Sequence, residues 1–162
     1  KRSEELCRKM HQVAGLHTQI FPKFISFLYW NRKLDYKNDP NIEFKLSTNL
    51  SSELEKYINV YKELQPGRSL HLCKDQGIVD LELNFKDGRV IKCEATLEQC
   101  TTIEQFHTSD DHKCVKLTLE DISSRLAIQP ERAQTILKFW IDRDVLYKSG
   151  DFYRSIDDRE AD

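Results

Sequence analysis

Apolar positions recur along this chain with two different periods, and the switches between them mark out its elements. Leu6, Met10 and Val13 fall at helical spacing within residues 3–14, and Gly15 follows as a stop or bend. Phe24, Ile25, Phe27, Leu28, Tyr29 and Trp30 then form a dense aromatic and β-branched run that predicts an extended strand. Residues 31–40 turn polar and read as loop. Leu54, Ile58 and Tyr61, widened by Tyr57 and Leu64, make a helical stripe. Ser51 or Ser52 is positioned to cap that helix, and Pro66-Gly67 ends it.

The period then drops to two. Leu70 and Leu72 alternate within residues 69–73. Val79, Leu81, Leu83 and Phe85 alternate with Asp80, Glu82 and Asn84. Lys86-Asp87-Gly88-Arg89 predicts a hairpin turn, because Asp-Gly accepts positive φ. Residues 90–95 supply the returning strand, so a three-strand meander is expected.

Helical spacing returns over residues 97–106, with Leu97, Cys100, Ile103 (or Thr101) and Phe106 facing inward, and residues 113–117 predict a short strand. Thr118-Leu119-Glu120-Asp121 is a capping box opening a helix that buries Leu119, Ile122 and Leu126. Pro130 suits the first position of a second helix, burying Ala133, Ile136, Leu137 and Trp140. Residues 145–154 read as a second hairpin. Helix, turn, helix, hairpin is a winged-helix pattern. The expected fold class is α+β: a helical N-terminal segment, a small antiparallel or mixed β-sheet region, then a winged-helix domain. The expected domains are residues 1–20 as the end of a helical bundle, 21–95 as an α/β region, 96–156 as the winged helix and 157–162 as a tail.

Composition changes this picture in three places. The 162 residues carry 25 Lys plus Arg against 27 Asp plus Glu, a formal net charge of −2. Phosphate contacts need clustered cations, and in the would-be recognition helix Glu131 and Asp142 dilute Arg132, Lys138 and Arg143. In the hairpin, Asp151 accompanies Lys148 and Arg154. A protein-interaction role is therefore expected ahead of nucleic-acid binding. The longest apolar stretch, residues 20–30, contains Pro22, Lys23 and Ser26 and is shorter than the roughly 20 residues that span a bilayer. No membrane partner is expected. Lys1 in place of Met, with a helix already under way, predicts a fragment of an intracellular protein.

Candidates for direct chemistry are weak. Cys7, Cys73, Cys93, Cys100 and Cys114 are odd in number and lack a CxxC pair, which predicts reduced thiols. Cys93, Cys100, His107, His112 and Cys114 do not match the spacing of a zinc site. Asp110-Asp111 reads as solvated loop, and neither a P-loop nor a GxGxxG is present. No catalytic residue, metal or cofactor is expected. The run 24–30 has two readings, a core strand or a strand that pairs with a partner chain. The residues by themselves favour the core strand.

The ordered elements resemble the C-terminal cullin homology region. Tyr61-Lys62-Glu63-Leu64-Gln65-Pro66-Gly67-Arg68-Ser69-Leu70, then Gly77-Ile78-Val79-Asp80-Leu81, resemble its helix, Gly-Arg-x-Leu element and meander. Phe139-Trp140-Ile141-Asp142-Arg143-Asp144-Val145-Leu146 fits the helix leading to its last hairpin, and Trp30 fits a strand that ends in Trp. Tyr61-x-x-Leu64-x-x-x-Arg68-x-Leu70 with Trp140 is closest to the cullin-like branch of the anaphase-promoting complex. Leu72 stands where cullins usually carry Trp, and the final winged helix bearing their modifier-acceptor Lys has no counterpart here.

The resemblance implies a non-catalytic scaffold of a RING ubiquitin ligase acting on cell-cycle substrates in nucleus and cytoplasm. It implies a zinc-binding RING subunit whose N-terminal strand joins the sheet, alongside other subunits of the complex. On that reading Ile25, Phe27 and Tyr29 contact the RING subunit, with Val79 and Leu81 in the supporting sheet. The alternatives are a winged-helix nucleic-acid module and an ordinary cullin of another ligase.

Overall fold

Helical stripes and alternating strands need something to pack against, and the chain provides it in two compact units. One comprises Lys1–Asn38 with Thr48–Leu72, the other Asp39–Ser47 with Cys73–Asp162. The computed structural model describes residues 2–14, 21–24, 44–107 and 114–161.

In the first unit, helix α1 (Arg2–Ala14) packs on helix α2 (Thr48–Leu64). Met10, Tyr57 and Tyr61 are buried, with Leu6, Phe24, Val60, Leu64 and Leu70 against them. The Phe24 ring stacks on Tyr61 at 5.5 Å between centroids, with 17° between planes. Tyr57 and Tyr61 are thus the deepest positions of α2, while Leu54 and Ile58 are only half-buried. The helix starts at Thr48, a turn before the expected Ser51 or Ser52 cap, because Ser47, Thr48 and Asn49 are themselves residues that suit a helix start. Its end is as expected: the Gln65 amide donates to the Tyr61 carbonyl at 2.9 Å, and Gly67 takes φ +80°.

Residues 69–73 do not form the expected strand. They belong to no strand among the described residues, Leu70 packing in the first unit's core and Leu72 39% exposed. Alternation over five residues does not by itself make a ladder strand. Among the described residues the meander is therefore a two-strand hairpin.

That hairpin opens the larger part of the second unit. After a short 3₁₀ turn, Lys74–Gln76, strands β1 (Ile78–Asn84) and β2 (Val90–Thr96) pair antiparallel. At the turn, the Gly88 amide donates to the Phe85 carbonyl and the Phe85 amide to that of Arg89, both at 3.0 Å. Only Gly88 has positive φ (+86°), so this is a turn followed by a left-handed glycine, not a two-residue loop with Asp87 also at positive φ. Asp87 instead accepts a hydrogen bond from the Arg89 amide at 2.9 Å.

Helix α3 (Leu97–Glu104) follows directly, closed at its start by a capping box between Thr96 and Gln99. It ends two residues before the expected Phe106, which is still buried after a tightened last turn. Gly77 lies so close to Leu97 that a Cβ there would collide with its side chain.

Strand β3 is Leu117–Thr118, shorter and later than expected, with Lys113 outside the described residues. Helices α4 (Leu119–Leu126) and α5 (Pro130–Ile141) precede strands β4 (Leu146–Ser149) and β5 (Phe152–Ser155). The three strands form an antiparallel sheet in the order β3-β5-β4. Ile122, Leu126, Ala133, Ile136, Leu137, Trp140, Val145 and Leu146 are buried with it. Each large apolar side chain so buried contributes roughly 1.5–3 kcal/mol relative to exposure. Leu119 is half-buried rather than buried. Thr118 and Asp121 form the expected capping box, and Pro130 begins α5. A 3₁₀ segment, Ile156–Ala161, closes the unit, Asp157 accepting from the Lys86 amide at 3.0 Å.

Candidate partner-binding surface

The β1–β2 register decides which side chains share a face. Val79 lies opposite Ala95, Leu81 opposite Cys93 and Leu83 opposite Ile91. Along with Phe85 they make one apolar face. Ala95 is buried, but Val79, Leu81, Leu83, Phe85, Ile91 and Cys93 remain half-buried. α3 packs against both strands, so the face is covered in part. Of the expected RING-contact residues, Val79 and Leu81 are brought together here. Ile25, Phe27 and Tyr29 lie outside the described residues; Phe24, at the head of that run, is in the first unit.

The other face carries Ile78, Asp80, Glu82 and Asn84 on β1 and Val90, Lys92, Glu94 and Thr96 on β2, all exposed. Lys92 reaches Glu82, its cross-strand neighbour, at 2.9 Å. One pair along, Asp80 faces Glu94.

None of the five cysteines is in a disulfide. Burial, with Glu104 nearby, pushes the Cys100 thiol up to about 11, so at neutral pH it stays protonated and a poor nucleophile. Burial and the Asp158 carboxylate also raise Cys114. Among the described residues no three His, Cys, Asp or Glu side chains come together in a way that would hold a metal; His112 lies outside them.

The cations of α5 and the second hairpin are largely engaged within the fold. Arg132 donates to Glu98 at 3.0 Å through Nε. The Arg143 guanidinium sits 3.6 Å from the Phe139 ring centroid and donates to the Phe139 carbonyl at 3.2 Å. Lys148 lies 5.6 Å from the Tyr153 ring centroid, and Arg154 is buried. Such a surface offers few cations to a phosphate backbone.

Two antiparallel sheets, each packed by helices, make up the described part of the second unit. Residues 25–160 match the Cullin alpha+beta domain. The chain belongs to this family. It is also 25% identical over 122 residues to anaphase-promoting complex subunit 2 of Dictyostelium discoideum, an alignment covering 73% of this chain and 13% of that protein. The chain thus spans about an eighth of its relative's length.

Three contacts that position the elements of this cullin domain escaped the sequence reading. Glu98 and Arg132 pair across α3 and α5, both largely buried. The Trp140 indole donates to the Gln99 carbonyl at 3.0 Å, joining the same two helices. Lys74 donates to the Phe44 carbonyl at 3.0 Å. Their partners are 34, 41 and 30 residues apart, beyond what spacing reveals. The Asp80–Glu94 pair was within reach, because a turn that sets Asn84 against Val90 fixes every later partner.

Proposed function

We propose that the chain is the cullin-type segment of a scaffold subunit of the anaphase-promoting complex. It takes no part in bond making itself and positions a zinc-binding RING subunit so that ubiquitin passes to cell-cycle substrates. The observation that carries this reading is the family match over residues 25–160. The similarity to anaphase-promoting complex subunit 2 directs it to that complex. The half-covered apolar face holding Val79 and Leu81 supports a sheet that accepts a further strand, whose main chain supplies affinity and whose alternate side chains supply specificity. The order β3-α4-α5-β4-β5 is read as a winged helix used for protein contacts, since Arg132 and Arg143 make contacts within it and acidic residues flank Lys138. Residence in nucleus and cytoplasm follows from the same role.

The test is co-expression of the full-length protein with candidate RING subunits, followed by pull-down. Phe27→Asp with Tyr29→Asp, and separately Val79→Asp with Leu81→Asp, are expected to abolish RING co-purification while Lys138→Glu leaves it intact. Circular dichroism establishes that each variant is folded. Undiminished RING co-purification by folded variants of both kinds would sink the assignment.

A further inference from the structure

Lys92 and Glu82 show what cross-strand pairing on the exposed hairpin face does when signs are opposite: they meet at 2.9 Å. The adjoining pair does the reverse. Asp80 and Glu94 stand directly opposite one another, and neither meets a cation among the described residues. Like charges directly opposite destabilise a ladder, so a single change of sign at either position would improve the isolated hairpin. Next along, Ile78 is 70% exposed opposite Thr96, and at the far end Val90 is 51% exposed. The face therefore carries three carboxylates against one ammonium, with a large apolar side chain at each end.

A local rule broken with no compensation among the described residues marks a position shaped by something beyond them. We propose that this face, centred on Asp80, Glu94 and Ile78, docks a basic extended segment of a partner protein. A Lys or Arg of that segment lies over the two carboxylates, and an apolar side chain covers Ile78. Charge complementarity selects this occupant: the carboxylates repel nucleic acid and anionic lipid, and the apolar ends give free water-borne cations no reason to prefer the site. Seven-residue strands favour an extended occupant, since the face is about 20 Å long at 3.3 Å per residue. The test uses a peptide titrated without any RING subunit, so its outcome is separate from that of RING capture.

The probe is a fluorescein-labelled peptide of alternating Arg and Val, titrated with the full-length protein and followed by anisotropy. Asp80→Lys places a cation opposite Glu94, so the hairpin is expected to hold or gain thermal stability while peptide affinity falls about tenfold or more. Loss of binding with retained stability cannot come from unfolding. Ile78→Ser is expected to weaken binding about threefold or more. Glu63→Lys, the same charge change on α2, is expected to stay within about twofold of the parent. An equal loss in Glu63→Lys would reduce the effect to net charge and overturn the proposal. So would a lack of saturation, or stoichiometric displacement of the peptide by Mg²⁺ or Ca²⁺.

Discussion

Glu98 is a carboxylate held where its charge is poorly solvated. It is 9% exposed, and burial raises its pKa above the usual value even though the Arg132 guanidinium beside it pulls the other way. Asp75 adds a smaller upward push. The folded chain therefore keeps the Glu98 proton to a higher pH than the unfolded chain does. It binds more protons in that interval, so stability falls as pH rises there. The contribution is fully present below the unfolded value and lost as pH climbs through the raised folded one. Glu98→Gln removes this titration and keeps an oxygen for Arg132. Urea unfolding from pH 4 to 7 is expected to show the parent losing stability relative to Glu98→Gln as pH rises. Parallel pH profiles would mean that the Arg132 pairing, not burial, governs the site. The cost of charge burial at Glu98 and of like charge at Asp80–Glu94 differ in kind. One is internal to the core; the other faces solvent and a partner can relieve it.

At the level of elements, legibility followed how local the cause was. The α4 start was readable because Thr118 and Asp121 are three residues apart and cap each other. The buried face of α5 was readable because Ala133, Ile136, Leu137 and Trp140 keep the 3.6-residue period. The first hairpin was readable from alternation and Asp87-Gly88, and with it Val79 and Leu81 as face-mates. Residues 69–73 are not a strand among the described residues, because a five-residue alternation is too short to set a ladder by itself. The α3–α5 ties failed because their residues lie far apart in sequence. The stop of α4 at Leu126 has an unusual cap: Ala127, an exposed non-glycine, takes the left-handed conformation (φ 55°, ψ 46°) that usually calls for Gly. Its amide and that of Ile128 reach back to the last turn, Ile128 to the Ser123 carbonyl at 3.0 Å. Left-handed backbone costs an L residue roughly 1–2 kcal/mol, while Gly adds about 0.4–1 kcal/mol of unfolded-state entropy. The first exceeds the second, so Ala127→Gly is expected to stabilise the chain by up to about 1 kcal/mol. The midpoint of urea denaturation checks it; a lower midpoint would show that the strain is relieved elsewhere.

For the whole molecule, the question is what a helix-helix-hairpin surface does when the chain as a whole is nearly neutral. A net charge of −2 over 162 residues gives no long-range attraction to a polyanion. Local clustering could still supply it, but here acidic neighbours and contacts within the fold dilute the cations. Arg132 serves Glu98, Arg143 covers Phe139, Lys148 lies over Tyr153 and Arg154 is buried. Lys138 remains exposed on α5, between Glu131 and Asp142 on the same helix and at its end. A protein that neutralises Z phosphates shows a slope of about −0.9Z in log affinity against log salt. With Lys138, Arg143 and Lys148 exposed but Glu131, Asp142 and Asp151 beside them, that slope is expected to stay at about −3 or shallower, and binding to duplex DNA to be weaker than the 10⁻⁴ to 10⁻⁶ M range typical of non-specific binders. Anisotropy with a labelled 20-base-pair duplex between about 50 and 200 mM salt measures both quantities. A slope steeper than about −4, reduced by Lys138→Glu or Arg143→Glu, would return the domain to the nucleic-acid class. A flat profile leaves the exposed α5 and hairpin surfaces to protein partners, in keeping with the scaffold role proposed for this cullin domain.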